Sequence, residues 1–177
     1  MRRCLNALYD GAGIAAAVCL AGICVLMLAQ AAGRELGVLV RGADDITAWL
    51  CAASAFLALA HTFRKGELIR VGLWLEWLKP ESRRRVEIVA LVIATLFMSY
   101  MAWAVTRFVY ESWKFNEVAQ GLIKIPIWIP QLTFAQGVLI FWIALIDDLI
   151  VLLRGGIPAY EAAELARKHS GDFSEML

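Results

Sequence analysis

The sequence predicts an all-α integral membrane protein, with four transmembrane helices and a cytoplasmic-side interfacial helix between the second and the third. The chain has 177 residues and is 61% hydrophobic but only 19% charged, whereas soluble domains carry about 25% charged residues. Four stretches without any charge approach or exceed the length of about 20 residues that a helix needs to cross a bilayer. These stretches lack the alternating polarity of barrel strands, so helices are expected to pair their backbone polar groups in lipid.

The four uncharged stretches define the predicted spans. The first, Gly11 to Gly33, would form a helix about 34 Å long at 1.5 Å per residue, which exceeds a hydrocarbon thickness of about 30 Å. The second and third stretches have 18 and 19 residues, and the fourth has 22 residues with two prolines near its start. We predict a single membrane domain, residues 1–177, with spans at about 11–33, 46–63, 86–106 and 126–148 and a cytoplasmic tail at 154–177.

The positions of the basic residues predict the orientation of the chain. Twelve of the 17 Lys and Arg residues lie before the first span, between the second and third spans, or after the fourth span. The other two connections hold the remaining five. Because basic residues are retained on the cytoplasmic side of the membrane, both termini are expected to be cytoplasmic.

An alternative concerns the first 31 residues. Two arginines, an apolar run and an Ala-x-Ala sequence at 29–31 are similar to a signal peptide, and cleavage there would leave three spans. The run is long, however, for the apolar part of such a peptide. Gly13, Ala17 and Ala21 also recur every four residues, and this spacing favours a retained helix that packs against another helix.

A half-charged segment, HTFRKGELIRVGLWLEWLKP, joins the second and third spans at residues 61–80. It is too polar to cross the bilayer and too apolar to be a solvated loop, so it predicts an interfacial helix at about 67–79. Its tryptophans would lie at headgroup depth, and its basic side chains would contact phospholipid phosphates or a partner protein. The residues predicted to make these contacts are Arg64, Arg70, Trp74, Trp77 and Lys79.

Two other interpretations of this segment stay open. In one, the second span continues beyond the membrane and stops at Pro80. In the other, part of the segment packs on another protein. That contact would explain why Glu67 and Glu76 fall on opposite sides of the helix and leave it without a single wide polar face.

The third span is followed by residues that suit a helix extended beyond the membrane. Glu111 and Lys114 are three residues apart and can pair on one helix surface, and Trp113 suits a membrane interface. Glu111, Lys114 and Glu117 are therefore candidates for docking a periplasmic partner. A solvated helix end fits the same residues.

Asp147 and Asp148 are adjacent acids at the end of the fourth span. About 22 uncharged residues precede them, which is enough to cross the bilayer, so the two acids are expected near the cytoplasmic headgroups. An acid deep in the membrane would point to proton or ion coupling. At the expected depth, pairing with basic residues of the 61–80 segment is favoured over such coupling.

The sequence offers no set of residues for catalysis or for a cofactor. No span has a charged residue near its middle, which a self-sufficient ion-coupled carrier usually requires. The four cysteines lack the spacing of metal ligands. The two histidines, His61 at a span end and His169 in the tail, do not form the in-membrane pair that haem would need. A net charge of +1 gives no case for nucleic acid. We predict a non-enzymatic membrane subunit without cofactor or metal, which supports another subunit.

Two stretches carry a resemblance to a known family. The first is RKGELIRV at 64–71, and the second is GLIKIPIWIPQLTFAQG at 121–137, with prolines and a tryptophan at the start of the fourth span and a glycine within it. Over about residues 5–153 the chain resembles the small membrane subunit of TRAP transporters (tripartite ATP-independent periplasmic transporters), the DctQ-like family. The matching positions are Arg64, Gly66, Ile69, Val71, Trp128, Pro130 and Gly137.

This resemblance implies a role that composition does not reveal. Such subunits pair with a large membrane subunit, which takes up an organic acid with a sodium gradient after a periplasmic binding protein delivers it. The chain would then be a scaffold and anchor in the bacterial inner membrane. Its partners would be the large subunit, the binding protein and phospholipids. The alternatives are a stand-alone small transporter, in which only Asp147 and Asp148 offer protonatable groups, and an anchor or assembly subunit of another complex.

Overall fold

The computed structural model describes residues 2–38, 41–66, 80–156 and 158–163. These residues form four long helices, and each is long and apolar enough to cross a membrane. The predicted fold class is confirmed. The interfacial helix predicted at 67–79 lies outside the described residues. The helices are α1 (Arg2–Glu35), α2 (Ala43–Arg64), α3 (Pro80–Lys114) and α4 (Trp128–Leu153).

The helices pack in a row in the order α1, α2, α4 and α3. α1 packs on α2, α2 packs on α4, and α4 packs on α3, whereas α1 touches α4 only sparsely. α1 and α3 therefore form the two edges of the row. Each edge helix leaves a broad apolar face that the described residues do not cover.

The row has two ends with different contents. The end that holds the start of α1, the end of α2, the start of α3 and the end of α4 is called the terminal end below. The opposite end holds the α1–α2 and α3–α4 connections and is called the loop end. Neither name implies a side of the membrane.

Small residues form the contact between α1 and α2. Ala12 and Ala16 are buried in α1 against α2. The stripe predicted from four-residue spacing is wrong in part, because Gly13 lies near this contact but Ala17 and Ala21 are exposed. Four residues turn a helix by about 400°, so such a stripe rotates by about 40° at each step and leaves the interface.

α2 and α4 cross closely at Gly137. A Cβ atom built on Gly137 would lie 2.6 Å from the backbone carbonyl carbon of Phe56 and 2.8 Å from the backbone nitrogen of Leu57. The hydrogen side chain therefore lets the two backbones approach. Beside this crossing, Phe56 and Phe134 pack edge to face with ring centroids 4.4 Å apart, and Val138 is fully buried.

α3 and α4 pack through apolar side chains and one polar contact. Met98 and Ala102 of α3 are buried in the core shared with α4. The indole N–H of Trp142 donates a hydrogen bond of 2.8 Å to the Ser99 hydroxyl. That hydroxyl in turn donates to the backbone carbonyl of Thr95 at 2.7 Å. Both polar groups are thus paired within the chain, as an apolar environment requires.

Candidate functional site

A cluster of polar side chains lies at the terminal end, around Arg64, the last residue of α2. The Arg64 Cζ atom lies 4.7 Å from the ring centroid of Tyr9 in α1, and Nη1 lies 3.6 Å from Oδ2 of Asp147 in α4. The Arg64 and Asp147 side chains are only 19% and 27% exposed. One cation therefore joins three helices, and the ring contact and the ion pair together stabilise this end by about 1–2 kcal/mol.

The second of the adjacent aspartates has a different environment from the first. Asp148 is 1% exposed, and its Oδ1 accepts a hydrogen bond of 3.2 Å from the backbone N–H of Ala159. Ala159 opens a short helical turn, so the carboxylate satisfies one of the donors that a helix start leaves unpaired. Tyr160 in that turn packs on Phe63, with ring centroids 5.8 Å apart. Asp148 thus holds the chain after α4 against α4 itself, and Tyr160 holds it against α2.

His61 extends this cluster toward α1. Its Nδ1 atom lies 3.5 Å from Oδ1 of Asp10, whose side chain is 69% exposed. The ring lies against Gly13, where a Cβ atom would come within 2.9 Å of Cγ. A cleft of about 240 Å³ opens beside these residues and is also lined by Asn6 and Lys65. Its lining mixes both signs of charge, which suits contacts within the chain and with lipid headgroups.

Arg84 ties α3 to the same end. The Nη2 atom of Arg84 donates a hydrogen bond of 3.3 Å to the backbone carbonyl of Leu152. This carbonyl lies in the last turn of α4, where a helix leaves its carbonyls without partners. A cation is also favoured there by the helix dipole. The contact therefore joins the first part of α3 to the end of α4.

A carboxylate holds the two connections of the loop end together. Oδ2 of Asp45, in the first turn of α2, accepts hydrogen bonds from the backbone N–H groups of Leu122 at 2.8 Å and Ile123 at 3.4 Å. The neighbouring Asp44 accepts a hydrogen bond of 2.9 Å from the Gln30 side chain of α1. Acids in a first helical turn are also favoured by the helix dipole. These contacts join α1, α2 and the α3–α4 connection.

The three residues predicted for periplasmic docking all lie at the loop end. Glu117 closes the turn after α3, because its Oε2 accepts a hydrogen bond of 2.8 Å from the buried Ser112 hydroxyl. Glu111 accepts a hydrogen bond of 2.7 Å from Nε of Arg107. Lys114 is exposed, and its Nζ lies 5.8 Å from the ring centroid of Phe115.

Three of the other predicted site residues lie at the ends of helices. Trp128 begins α4, and Pro130 lies in its first turn, where the missing N–H of a proline leaves no backbone hydrogen bond unmade. Gly66, just after α2, has a φ of 67° and ends that helix in the left-handed conformation that favours glycine. The remaining predicted residues lie outside the described part of the chain: Ile69, Arg70, Val71, Trp74, Trp77 and Lys79.

Within the described residues, no group of three or more His, Cys, Asp or Glu side chains is placed to hold a metal ion. The charged side chains described above serve ion pairs and helix ends. Tyr9 and Asp45 were not among the predicted residues, although Asp44 and Asp45, two acids close after Gly42, are a signal of a helix start.

Comparison with known proteins identifies the family. The profile described as "Tripartite ATP-independent periplasmic transporters, DctQ component" matches residues 23–155. No curated protein and no solved structure matches the chain. The profile covers most of the chain and includes α2, α3 and α4, so the resemblance found in the sequence is confirmed. The chain belongs to the DctQ component family of the tripartite ATP-independent periplasmic transporters and is a multi-pass protein of the inner membrane.

Proposed function

We propose that this chain is the small scaffold and anchoring subunit of a TRAP transporter. In this role it supports a large membrane subunit during sodium-coupled uptake of an organic acid, which a periplasmic binding protein delivers. The observation that carries the proposal is the match of the family profile to residues 23–155. The structure supports it, because a row of helices with two uncovered apolar edges suits an element that enlarges the membrane-embedded surface of a partner.

The distribution of charge also supports a scaffold rather than a carrier. The uncharged stretches 11–33, 46–63 and 88–106 leave three spans without a charged residue near the middle, and His61 lies only at the end of α2. Ion-coupled carriers place such groups or broken helices near the midplane. Sodium and substrate are therefore assigned to the partner subunits, and the isolated chain is expected to bind neither.

We assign the terminal end to the cytoplasm and the loop end to the periplasm. The support is the excess of Lys and Arg in the connections that meet the terminal end. In this orientation Arg64, Asp147 and Asp148 lie at the cytoplasmic headgroups. Glu111 and Lys114 then lie where a periplasmic binding protein would dock. A cysteine-accessibility assay on residues of each end would contradict the assignment if terminal-end positions reacted with an impermeant reagent from the periplasm.

The half-charged segment at 61–80 is proposed to brace the scaffold at the cytoplasmic interface. Trp74 and Trp77 would anchor it at headgroup depth, and Arg70 and Lys79 would contact phosphates. Replacing Arg70, Trp74 and Trp77 together with alanine is expected to lower uptake or the yield of the complex. Normal uptake with a normal yield would refute the bracing role.

Purification of the complex tests the proposed function. The chain would be tagged at its C-terminus and extracted from its native membrane in a mild detergent, and the proteins that co-purify would be identified and quantified. A single large polytopic partner at a one-to-one ratio is expected. Recovery of homo-oligomers alone would contradict the proposal and would make Asp147 and Asp148 the first residues to test for transport.

A further inference from the structure

α3 has two faces of different character. Its packed face, which includes Leu91, Met98 and Ala102, is buried in the core shared with α4. Its opposite side is called the outer face of α3 and includes Val89, Ile93, Leu96, Phe97, Tyr100 and Trp103. All six side chains are exposed, by 56% to 66%.

A hydroxyl group lies on this face deep within the uncharged stretch. Tyr100 is twelve residues after Ile88 and six residues before Thr106, so its Cα lies about 18 Å and about 9 Å along the helix from the two ends of that stretch. Side chains on a helix lean toward its N-terminus. The Tyr100 side chain therefore leans away from the nearer end, toward the middle of the uncharged stretch.

The other hydroxyls of the same stretch are paired within α3. Thr95, Ser99 and Thr106 each donate a hydrogen bond of 2.7 Å to the backbone carbonyl four residues earlier. A tyrosine hydroxyl is too far from its own backbone to do this. Among the described residues, the Tyr100 ring packs near Trp103 with centroids 6.1 Å apart, and its hydroxyl makes no hydrogen bond.

A hydroxyl exposed to hydrocarbon without an acceptor is unfavourable. Lipid chains offer no acceptor at this depth, but a transmembrane helix of a partner does, through a side-chain oxygen or a backbone carbonyl released at a break. The outer face of α1 provides the contrast within the same chain. This face is lined by the exposed aliphatic side chains of Ile14, Val18, Val25 and Leu28, which carry no polar group that needs a partner.

We propose that the outer face of α3 is the surface that docks the large membrane subunit, and that the Tyr100 hydroxyl donates a hydrogen bond to an acceptor on a transmembrane helix of that subunit. Phe97 and Trp103 flank this bond and exclude lipid from it. The inference rests on the proposed function, because it takes the large subunit as the partner.

Photo-crosslinking in native membranes tests the docking face. A photoreactive phenylalanine analogue would replace Phe97 or Trp103 on the outer face of α3 and, in matched control variants, Ile14 or Val18 on α1. The tagged full-length chain would be expressed together with its complex. The α3 positions are expected to give an adduct with the mass of this chain plus the large subunit, and the α1 positions are expected not to.

Three results would overturn the proposal: an adduct with the large subunit from α1 but not from α3, adducts of α3 with lipid only, or α3 adducts only with a second copy of this chain. Co-purification with the unsubstituted chain shows whether only the docking face is wrong or the proposed function is wrong as well. A co-purifying large subunit without α3 adducts refutes only the docking face. The absence of any large partner refutes both.

A single-atom change tests the hydrogen bond. Tyr100→Phe removes only the hydroxyl, and it is expected to speed dissociation of the purified complex about threefold, the effect of a typical hydrogen bond between helices in a membrane. The matched control is Tyr110→Phe, which removes a hydroxyl from the same helix beyond the uncharged stretch, where water can pair with it. Equal dissociation rates for Tyr100→Phe and the unsubstituted complex would contradict the hydrogen bond.

Discussion

The two edge helices, α1 and α3, both expose long apolar faces, but these faces differ in chemistry. The outer face of α1 carries aliphatic side chains such as Val18, Val25 and Leu28, each exposed by 65% or 66%. The outer face of α3 carries Phe97, Tyr100 and Trp103. A bilayer satisfies an aliphatic face completely, whereas it leaves a deep tyrosine hydroxyl without an acceptor. In a membrane protein, therefore, exposure alone does not distinguish a docking surface from a lipid-facing one, whereas an unmet polar group points to a partner.

The largest loss of stability is expected from a substitution at the α2–α4 crossing, where the α1–α2 half of the row meets the α4–α3 half. Gly137→Ala places a Cβ atom 2.6 Å from the backbone of Phe56, so α2 and α4 must separate. This separation is expected to lower the free energy of unfolding by about 3 kcal/mol. This change would uncouple the α1 edge from the α3 edge. The midpoint of thermal unfolding in detergent, followed by tryptophan fluorescence, would report the loss.

Gly11→Ala is the matched control for that change. It adds the same methyl group to a helical position with no atom within 4 Å of the new Cβ among the described residues. Its unfolding midpoint is expected to stay the same or rise slightly, because alanine favours a helix over glycine. Equal losses in the two variants would show that the α2–α4 crossing does not require a glycine.

A smaller effect is expected at the attachment of the α1 edge. Arg64→Ala removes the contact with the Tyr9 ring and the ion pair with Asp147, and it is expected to cost about 2 kcal/mol of unfolding free energy. Arg154→Ala, at an exposed arginine of the same end, is the control and should change little. If both variants unfold like the unsubstituted chain, Arg64 does not hold α1 in place.

The loop end should respond more weakly. Asp45→Ala leaves the backbone N–H groups of Leu122 and Ile123 without their acceptor. Water replaces part of the lost hydrogen bonding at this partly exposed site, so the expected loss of unfolding free energy is about 1 kcal/mol. Asp45→Asn should recover part of the stability because an amide oxygen still accepts. An Asp44→Ala variant that lost more stability than Asp45→Ala would contradict the assignment of the main tie to Asp45.

Substitutions on the outer face of α1 are expected to change neither stability nor assembly. Val18→Leu and Val25→Leu keep this face aliphatic and touch lipid only, so the unfolding midpoint and the recovery of the large subunit should both match those of the unsubstituted chain. Quantitative co-purification measures the recovery. A fall in recovery without a change in the midpoint would place the docking surface on α1 and reverse the comparison between the two edges.

The sequence predicted the number of helices and their apolar parts well, because charge is costly inside a bilayer and its absence marks a span. It also singled out Gly137 as a position that matches the family, and this glycine lies where α2 and α4 cross. It did not predict the order α1, α2, α4, α3, since helices that are apolar all round give no sign of which face meets a neighbour. The stripe of Gly13, Ala17 and Ala21 failed for a different reason, because four-residue spacing rotates around the helix by about 40° at each step.

The candidate site was harder to predict from the sequence than the fold. Asp147 and Asp148 are neighbours in the chain, but consecutive helix positions point about 100° apart. One therefore meets Arg64 of α2, and the other is buried beneath the turn that Ala159 opens. Asp45 bonds to backbone groups 77 and 78 residues away, and no local pattern encodes such a contact.

A single-particle structure of the complex purified through the tagged chain would test the difference between the two edges. The expected map shows one large polytopic subunit against the outer face of α3, with the Tyr100 hydroxyl within hydrogen-bonding distance of an acceptor on that subunit. Lipid then covers Val18 and Val25 on α1. A map with the large subunit on α1 and lipid over Tyr100 would contradict the assignment of the docking edge.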